Sequence, residues 1–164
     1  MRPQPVAPSP GRESVWDYPR PPRVEDAPKR IRVVFNGETT ADTTRARRVL
    51  ERRSPPVCCR PPDDVRTERL CAVAVTTFGE WKGSASYWEV RVAGRRAARA
   101  AWTYRDPAPG CEATGADIAF YPREMDAWFV DDERARPQPG GDHGGWVADD
   151  VVGRFRGEPG SESW

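Results

Sequence analysis

Proline and glycine are spread along the whole chain, and this distribution limits what the chain can fold into. The 164 residues include 18 prolines and 14 glycines. Proline removes a backbone donor and breaks helices, and both residues favour turns. Between these breaks lie short runs rich in β-branched and aromatic residues, which are typical of strands. The sequence therefore predicts short strands joined by turns, with little helix.

Three dipeptides that follow apolar runs have the composition of tight turns. Asn-Gly tolerates the positive φ angles of a type I′ turn, so Ile31–Phe35 and the residues after Gly37 are expected to pair as a hairpin. Residues 87–92 alternate in polarity, which places Trp88 towards the core and Tyr87 on the opposite face. The turns are expected at Asn36-Gly37, Ala93-Gly94 and Asp131-Asp132.

A helix is expected over residues 43–53. Ala46, Val49 and Leu50 have the i, i+3, i+4 spacing of an apolar helix face, and the prolines after Ser54 end the pattern. With the strands, this predicts a mainly β fold. We expect a compact antiparallel β-sandwich or barrel-like domain with one or two short helices and a loop-rich C-terminal segment wrapped around it.

The length of the chain fits one domain with a single core. Residues 1–13 are rich in proline and polar groups and are predicted to be a disordered tail, and residues 14–164 are predicted to form the domain. Residues 15–22 carry two aromatic side chains among prolines, which indicates an extended arm packed on the domain. A protein-interaction module that uses this arm stays open as a further hypothesis.

The charge and hydropathy patterns argue against several partners. A net charge of +1 gives no electrostatic case for nucleic acid or an anionic membrane. No apolar run approaches the about 20 residues that span a bilayer, and the N-terminus has no apolar signal segment. We therefore predict a cytoplasmic protein that binds neither nucleic acid nor membrane.

The cysteines show no metal-binding spacing. Cys58, Cys59, Cys71 and Cys111 form no Cys-x-x-Cys pair, and the chain has a single histidine, whereas common structural zinc sites use four such ligands. We predict free thiols, no metal site and no cofactor. Because Cys58 and Cys59 are neighbours in a predicted strand, at most one of them is expected to face the core.

Several separated motifs identify a family resemblance. They are residues 15–22, Glu80-Trp81-Lys82-Gly83 with Tyr87-Trp88, Ala101-Trp102, residues 119–122, Gln138-Pro139-Gly140 and Gly144-Gly145-Trp146. With these motifs the chain resembles the bacterial and fungal domain of unknown function 427 family over residues 14–164. The resemblance implies a compact, β-rich single domain, and a nucleotidyltransferase-like label has been attached to the family. The chain departs from the family pattern at Gly79, where a cysteine is usual, and at Cys58, Cys59, Asp142 and His143, where aromatic residues are usual.

The stretch around Lys82 is the main candidate for a binding site. Lys82 is one of only two lysines in the chain and lies between Trp81 and Gly83. Aromatic rings would stack on a planar or sugar-like ligand, Lys82 would neutralise an anionic group, and glycine amides would bind its oxygens. The alternative is that the rings belong to the core and that Lys82 lies over Trp81. The predicted ligand-binding residues are Trp81, Lys82, Gly83, Tyr87, Trp102, Tyr121, Gly144, Gly145 and Trp146.

Two acidic or basic groups are candidates for catalysis. His143 beside Asp142 has the composition of a general base with its orienting carboxylate, and Asp126 is a candidate acid. The sequence identifies no serine or cysteine nucleophile, so the catalytic residues stay unassigned. Our first hypothesis is a small-molecule-binding domain. The alternative is an enzyme acting on a nucleotide or other phosphorylated substrate, with Lys82 at the phosphate.

Overall fold

The structure is a computed structural model that describes residues 7–20, 22–27, 29–79, 83–107, 114–139, 145–153, 155–156 and 158. Within these ranges the chain consists of strands, loops and short 3-10 turns, which confirms the mainly β fold. The strands are β1 (Glu13–Ser14), β2 (Arg23–Asp26), β3 (Ile31–Phe35), β4 (Glu38–Thr43), β5 (Arg47–Leu50), β6 (Val57–Cys59), β7 (Leu70–Gly79), β8 (Gly83–Val92), β9 (Arg95–Pro107), β10 (Ala119–Phe120), β11 (Ala127–Val130), β12 (Glu133–Arg134), β13 (Arg136–Pro137), β14 (Trp146–Val147) and β15 (Val151–Val152). The 3-10 turns include Val15–Asp17, Pro62–Asp64, Thr67–Arg69 and Pro122–Glu124.

Three antiparallel sheets form the body of the domain. Their strand orders are β10-β9-β8-β7, β12-β11-β3-β4 and β2-β5-β6. Two short pairs accompany them: β1 runs parallel to β15, and β13 runs antiparallel to β14. The strands β7, β8 and β9, which are the longest of the described strands, lie side by side.

The three predicted hairpins are confirmed. The turns join β3 to β4, β8 to β9 and β11 to β12, and each pair is antiparallel. Asn36 and Gly37 have φ angles of 49° and 78°, and Asp131 has 52°. These left-handed values are the ones that tight hairpin turns require.

The predicted helix over residues 43–53 is wrong. This segment contains β5, which is the central strand between β2 and β6. Ala46, Val49 and Leu50 each enter a different buried cluster. On one face of a helix, all three side chains would contact the same neighbour, whereas in an extended chain they can contact different neighbours. The tertiary packing therefore overrides the helical spacing. No α-helix occurs in the described ranges, and the short helical elements are all 3-10 turns.

The interior is divided between the faces of the long sheet. The first core, which includes Val33, Phe35 and Val90, fills the space between β3-β4 and β8-β9. The second core includes Val49, Tyr87 and Trp102 and lies between β5-β6 and β8-β9. As predicted from the alternation, Trp88 and Tyr87 lie on opposite faces of β8, but both faces meet other parts of the chain.

The expectation that at most one of Cys58 and Cys59 faces the core is wrong. Each is 1% exposed, because β6 has buried clusters on both faces: Cys58 packs in the first core and Cys59 in the second. In the described ranges Cys58, Cys59 and the half-buried Cys71 form no disulfide, and Cys111 lies outside these ranges.

The N-terminal arm packs on the domain. Val15 and Tyr18 are buried with Leu50 and Val151 in a third core. The Tyr18 hydroxyl donates to Glu13 at 2.6 Å, and this carboxylate also binds Arg48 at 2.6 Å.

Among the helical elements of the described ranges, none has the length and apolar character that a membrane span requires.

Candidate functional site

Tyr87, Trp102 and Tyr121, three of the predicted ligand-binding residues, come together. Tyr87 is the register partner of Trp102 across β8 and β9, and the Trp102 and Tyr121 ring centres lie 4.4 Å apart. Tyr87 and Trp102 are 8% and 5% exposed, and Tyr121 is half-buried against them. These rings pack against β5 and β6, as in the alternative in which they form core.

Trp146 lies in a different cluster from these rings, and Gly145 precedes it in the chain. The Trp146 ring meets Trp128 edge to face at 5.4 Å and belongs to the first core. A Cβ atom at Gly145 would collide with the side-chain oxygen of Gln138 and would lie 2.8 Å from the Pro55 carbonyl oxygen. Close backbone packing therefore explains glycine at this position.

Of the other predicted ligand-binding residues, only Gly83 belongs to the described ranges. Trp81, Lys82, Gly144 and His143 lie outside the described residues. Gly83 begins β8, where its register partners are Gly79 and Pro107.

The candidate acid Asp126 is engaged in structural contacts. Its carboxylate accepts from the Asn36 backbone N–H at 2.6 Å and from Arg95 at 2.7 Å. The Asn36 hydrogen bond holds the pKa of Asp126 below its ordinary value against the raising effect of burial, and Arg95 lowers it further. With its pKa below the ordinary value, the carboxyl group is ionised at neutral pH. Nowhere in the described ranges do three or more His, Cys, Asp or Glu side chains gather as a metal site would require.

The face of the long sheet that carries Trp88 opens into a pocket of about 430 Å³. This volume lies within the range of about 300–1,000 Å³ that is usual for small-molecule sites. One wall is the sheet itself, since β7, β8 and β9 each contribute one side chain. The opposite wall comes from the 3-10 turns Pro62–Asp64 and Thr67–Arg69 and from the segment before β10. We call it the Trp88 pocket, and its lining consists of Pro62, Thr67, Leu70, Trp88, Thr103, Ala116 and Ile118.

Trp88 and Thr103 form the polar part of this otherwise apolar pocket. The indole N–H of Trp88 donates to the Thr103 hydroxyl oxygen at 3.0 Å. Trp88 is half-buried and Thr103 is 7% exposed. The hydrogen bond fixes the indole ring, and the Thr103 hydroxyl retains a proton that it can donate.

The opposite wall is held in place by backbone and ionic contacts. Ile118 exchanges two backbone hydrogen bonds with Arg60, at 2.7 and 2.9 Å. Beside it, the buried Asp117 carboxylate binds Arg47 at 2.6 Å. Ala116 has a φ angle of 68°, which is unfavourable for a residue with a Cβ atom and persists only where the surroundings enforce it. The pocket is therefore preformed, with local backbone strain at its rim.

Sequence patterns alone did not identify this pocket. The alternation of residues 87–92 correctly placed Trp88 opposite Tyr87 but assigned it to a closed core. The only available signal was Thr103, a hydroxyl between Trp102 and Tyr104 at the end of the run Ala100-Ala101-Trp102. Leu70, Ile118 and Pro62 carry no chemical signature, so only the packing of the sheets brings them together.

The fold and the pocket together define a small antiparallel β domain with a preformed, largely apolar cavity. The chain belongs to the family described as domain of unknown function (DUF427), whose model matches residues 23–131, about two thirds of the chain. This confirms the family predicted from the motifs. The match contains every residue that lines the Trp88 pocket, whereas Gly145 and Trp146 lie beyond it. No curated protein gives a significant match to the chain.

Proposed function

We propose that this protein is a small-molecule-binding domain and that the ligand occupies the Trp88 pocket. The observation that carries the proposal is the half-buried Trp88 ring, fixed by Thr103 within a preformed cavity. Aromatic side chains with a satisfied polar atom offer a flat apolar surface at low entropic cost, which suits stacking.

The chemistry of the lining narrows the ligand class. None of the seven lining residues is charged, so an ionised group would lose hydration without gaining an ionic partner. We therefore assign to the pocket an uncharged molecule with a planar apolar body and one oxygen or nitrogen acceptor for the Thr103 hydroxyl. This ligand differs from the anionic one expected around Lys82, which lies outside the described residues.

A fragment screen by protein-detected NMR tests the proposal. The library holds uncharged aromatic fragments, nucleosides and nucleotides, and hits with dissociation constants of about 1 mM or tighter are expected among the uncharged compounds. Thr67 is exposed at the pocket, so Thr67→Trp should block it without disturbing the core. The matched control is Thr44→Trp, at an exposed threonine elsewhere.

The proposal holds if the hits bind wild type and Thr44→Trp but not Thr67→Trp. It fails if the uncharged compounds give no hit, or if the hits survive Thr67→Trp. Hits that vanish only in Lys82→Ala would move the ligand to the segment around Lys82. Turnover of a nucleotide in the presence of divalent metal would instead support the alternative of a nucleotide-dependent enzyme.

A further inference from the structure

A second groove, of about 410 Å³, lies on the side of the domain formed by residues 122–137. We call it the arginine groove. Its edges carry Arg123, Arg134 and Arg136, all exposed, and its floor contains the buried side chains of Met125 and Trp128. The groove thus combines an apolar floor with a cationic rim.

The positive charge of the rim is only partly neutralised. Arg134 uses one side-chain nitrogen to bind the Asp126 backbone carbonyl at 2.7 Å. The backbone of Arg136 pairs with Val147, but its side chain has no hydrogen-bond or ionic partner among the described residues. Asp126 lines the groove, but its carboxylate is already paired with Arg95. Of the neighbouring acids, Glu124 is exposed beside Arg123, and Glu133 accepts from the Asp149 N–H at 2.7 Å.

A buried cation lies behind the floor. The Arg60 side chain is 0% exposed, and its guanidinium carbon lies 4.8 Å from the centre of the Trp128 ring. Its Nη1 donates to the Cys58 carbonyl at 3.0 Å, while its Nε and Nη2 have no acceptor within the described ranges. Burial lowers the pKa of Arg60 to about 10, which leaves it charged at neutral pH. A charge in a buried site of low dielectric constant is screened less than a charge in water. The Arg60 charge therefore adds to the positive potential of the groove.

We propose that the arginine groove binds a small organic anion, with the apolar body of the ligand over Trp128 and its carboxylate or phosphate group at Arg136. Guanidinium groups match the paired oxygens of both anions. This site is separate from the Trp88 pocket and does not depend on the function proposed there.

Benzoate, phenyl phosphate and benzamide are suitable probes, because benzamide keeps the shape of benzoate without its charge. Each is titrated at low ionic strength into isotope-labelled protein, and the Trp128 indole signal, assigned with Trp128→Phe, is followed by NMR. We expect benzoate or phenyl phosphate to shift this signal, benzamide to leave it in place, and added salt to weaken binding. Arg136→Ala should weaken binding about fivefold, and Arg96→Ala, at an exposed arginine on β9, should not.

The comparison of the two anions shows whether carboxylate or phosphate is preferred. The proposal is overturned if neither anion shifts the Trp128 signal, if benzamide binds as well as benzoate, or if Arg136→Ala behaves like Arg96→Ala. Because both arginines are exposed, either variant should keep the fold, which the dispersion of the same spectra verifies.

Discussion

The guanidinium of Arg60 stacks on the Trp128 ring at 4.8 Å with no carboxylate bound to it in the described part of the chain. The guanidinium carbon also lies 5.3 Å from the centre of the Phe120 ring. Two aromatic faces therefore take the place of the counter-ion that normally accompanies a buried arginine.

Replacing Arg60 by methionine should cost little stability. The change removes a desolvated charge and its unpaired N–H groups while keeping most of the buried volume, so we expect a loss of less than about 1 kcal/mol. Arg60→Ala leaves a cavity and should cost about 3 kcal/mol. Urea unfolding of both variants measures the difference. Equal losses would show that the guanidinium itself, and not its volume, stabilises the fold.

Trp102 should behave as a core residue. Its ring is 5% exposed and packs against Tyr121, so Trp102→Ala should destabilise the protein by about 3–5 kcal/mol. Trp88→Ala, which removes a half-buried ring from the edge of a pocket, should cost clearly less. Thermal and urea unfolding test the order, and a smaller loss for Trp102→Ala than for Trp88→Ala would contradict the assignment of the two faces.

Gly145→Ala should destabilise the domain by about 1–3 kcal/mol. The added methyl group would meet Gln138 and the Pro55 carbonyl oxygen, and backbone atoms cannot easily move away. The control is Gly37→Asn, since the space around Gly37 is open and asparagine tolerates its φ angle of 78°. Unfolding free energies within error of wild type for Gly145→Ala would disprove the packing constraint.

Asp126 should make stability depend on pH at the acid end. Its folded-state pKa lies below the value of about 3.9 for an unfolded chain, chiefly because of the Asn36 N–H. The resulting stabilisation is fully present above about pH 5 and disappears as pH falls through the folded-state pKa. Because the side chain is 36% exposed, solvent screening limits the effect to about 1 kcal/mol.

Asp126→Asn should therefore be less stable than wild type at about pH 7, and the difference should shrink at about pH 3. Urea unfolding across this range is the measurement. Asp132→Asn, at an exposed hairpin position, serves as the control. A difference that stays constant with pH would show that the contribution of Asp126 is not ionic.

Two N-terminal truncations should differ in their effect on the unfolding free energy, because only the longer one removes the arm that packs on the domain. Removing residues 1–12 should change the unfolding free energy by less than about 1 kcal/mol, because this cut precedes β1. Removing residues 1–22 also deletes Val15 and Tyr18, which are 0% and 4% exposed, and should cost more than about 3 kcal/mol. Unchanged stability together with loss of a binding partner would favour the interaction-module hypothesis for this arm.

Predictions of turns, which depend on neighbouring residues in the sequence, were correct. Predictions of the helix and of cysteine burial, which depend on contacts between distant segments, were wrong. The Asn36-Gly37 turn was predictable because its backbone angles depend on those two residues. The helix over residues 43–53 was not, because its apolar spacing is compatible with a strand once Val49 and Leu50 have separate neighbours. The same limit applied to β6, where two adjacent cysteines are both buried.

The candidate site shows the same difference between what local sequence predicts and what depends on packing between distant segments. Alternation along β8 separated Trp88 from Tyr87 correctly, but it carried no information about which face would be closed. The rings of Tyr87 and Trp102 are covered by β5 and β6, whereas the face of Trp88 is left partly open beside Ile118.

The sequence by itself determined the β class, the three hairpins and the family, since each depends on local turn chemistry, on polarity with a period of two, or on motifs in a fixed order. Only the tertiary structure decided where cavities lie and which charges are buried. Leu70, Thr103 and Ile118 become one pocket, and Arg60 meets Trp128, because sheets distant in sequence pack together. Their contacts depend on the whole arrangement of the sheets, which no short stretch of sequence encodes.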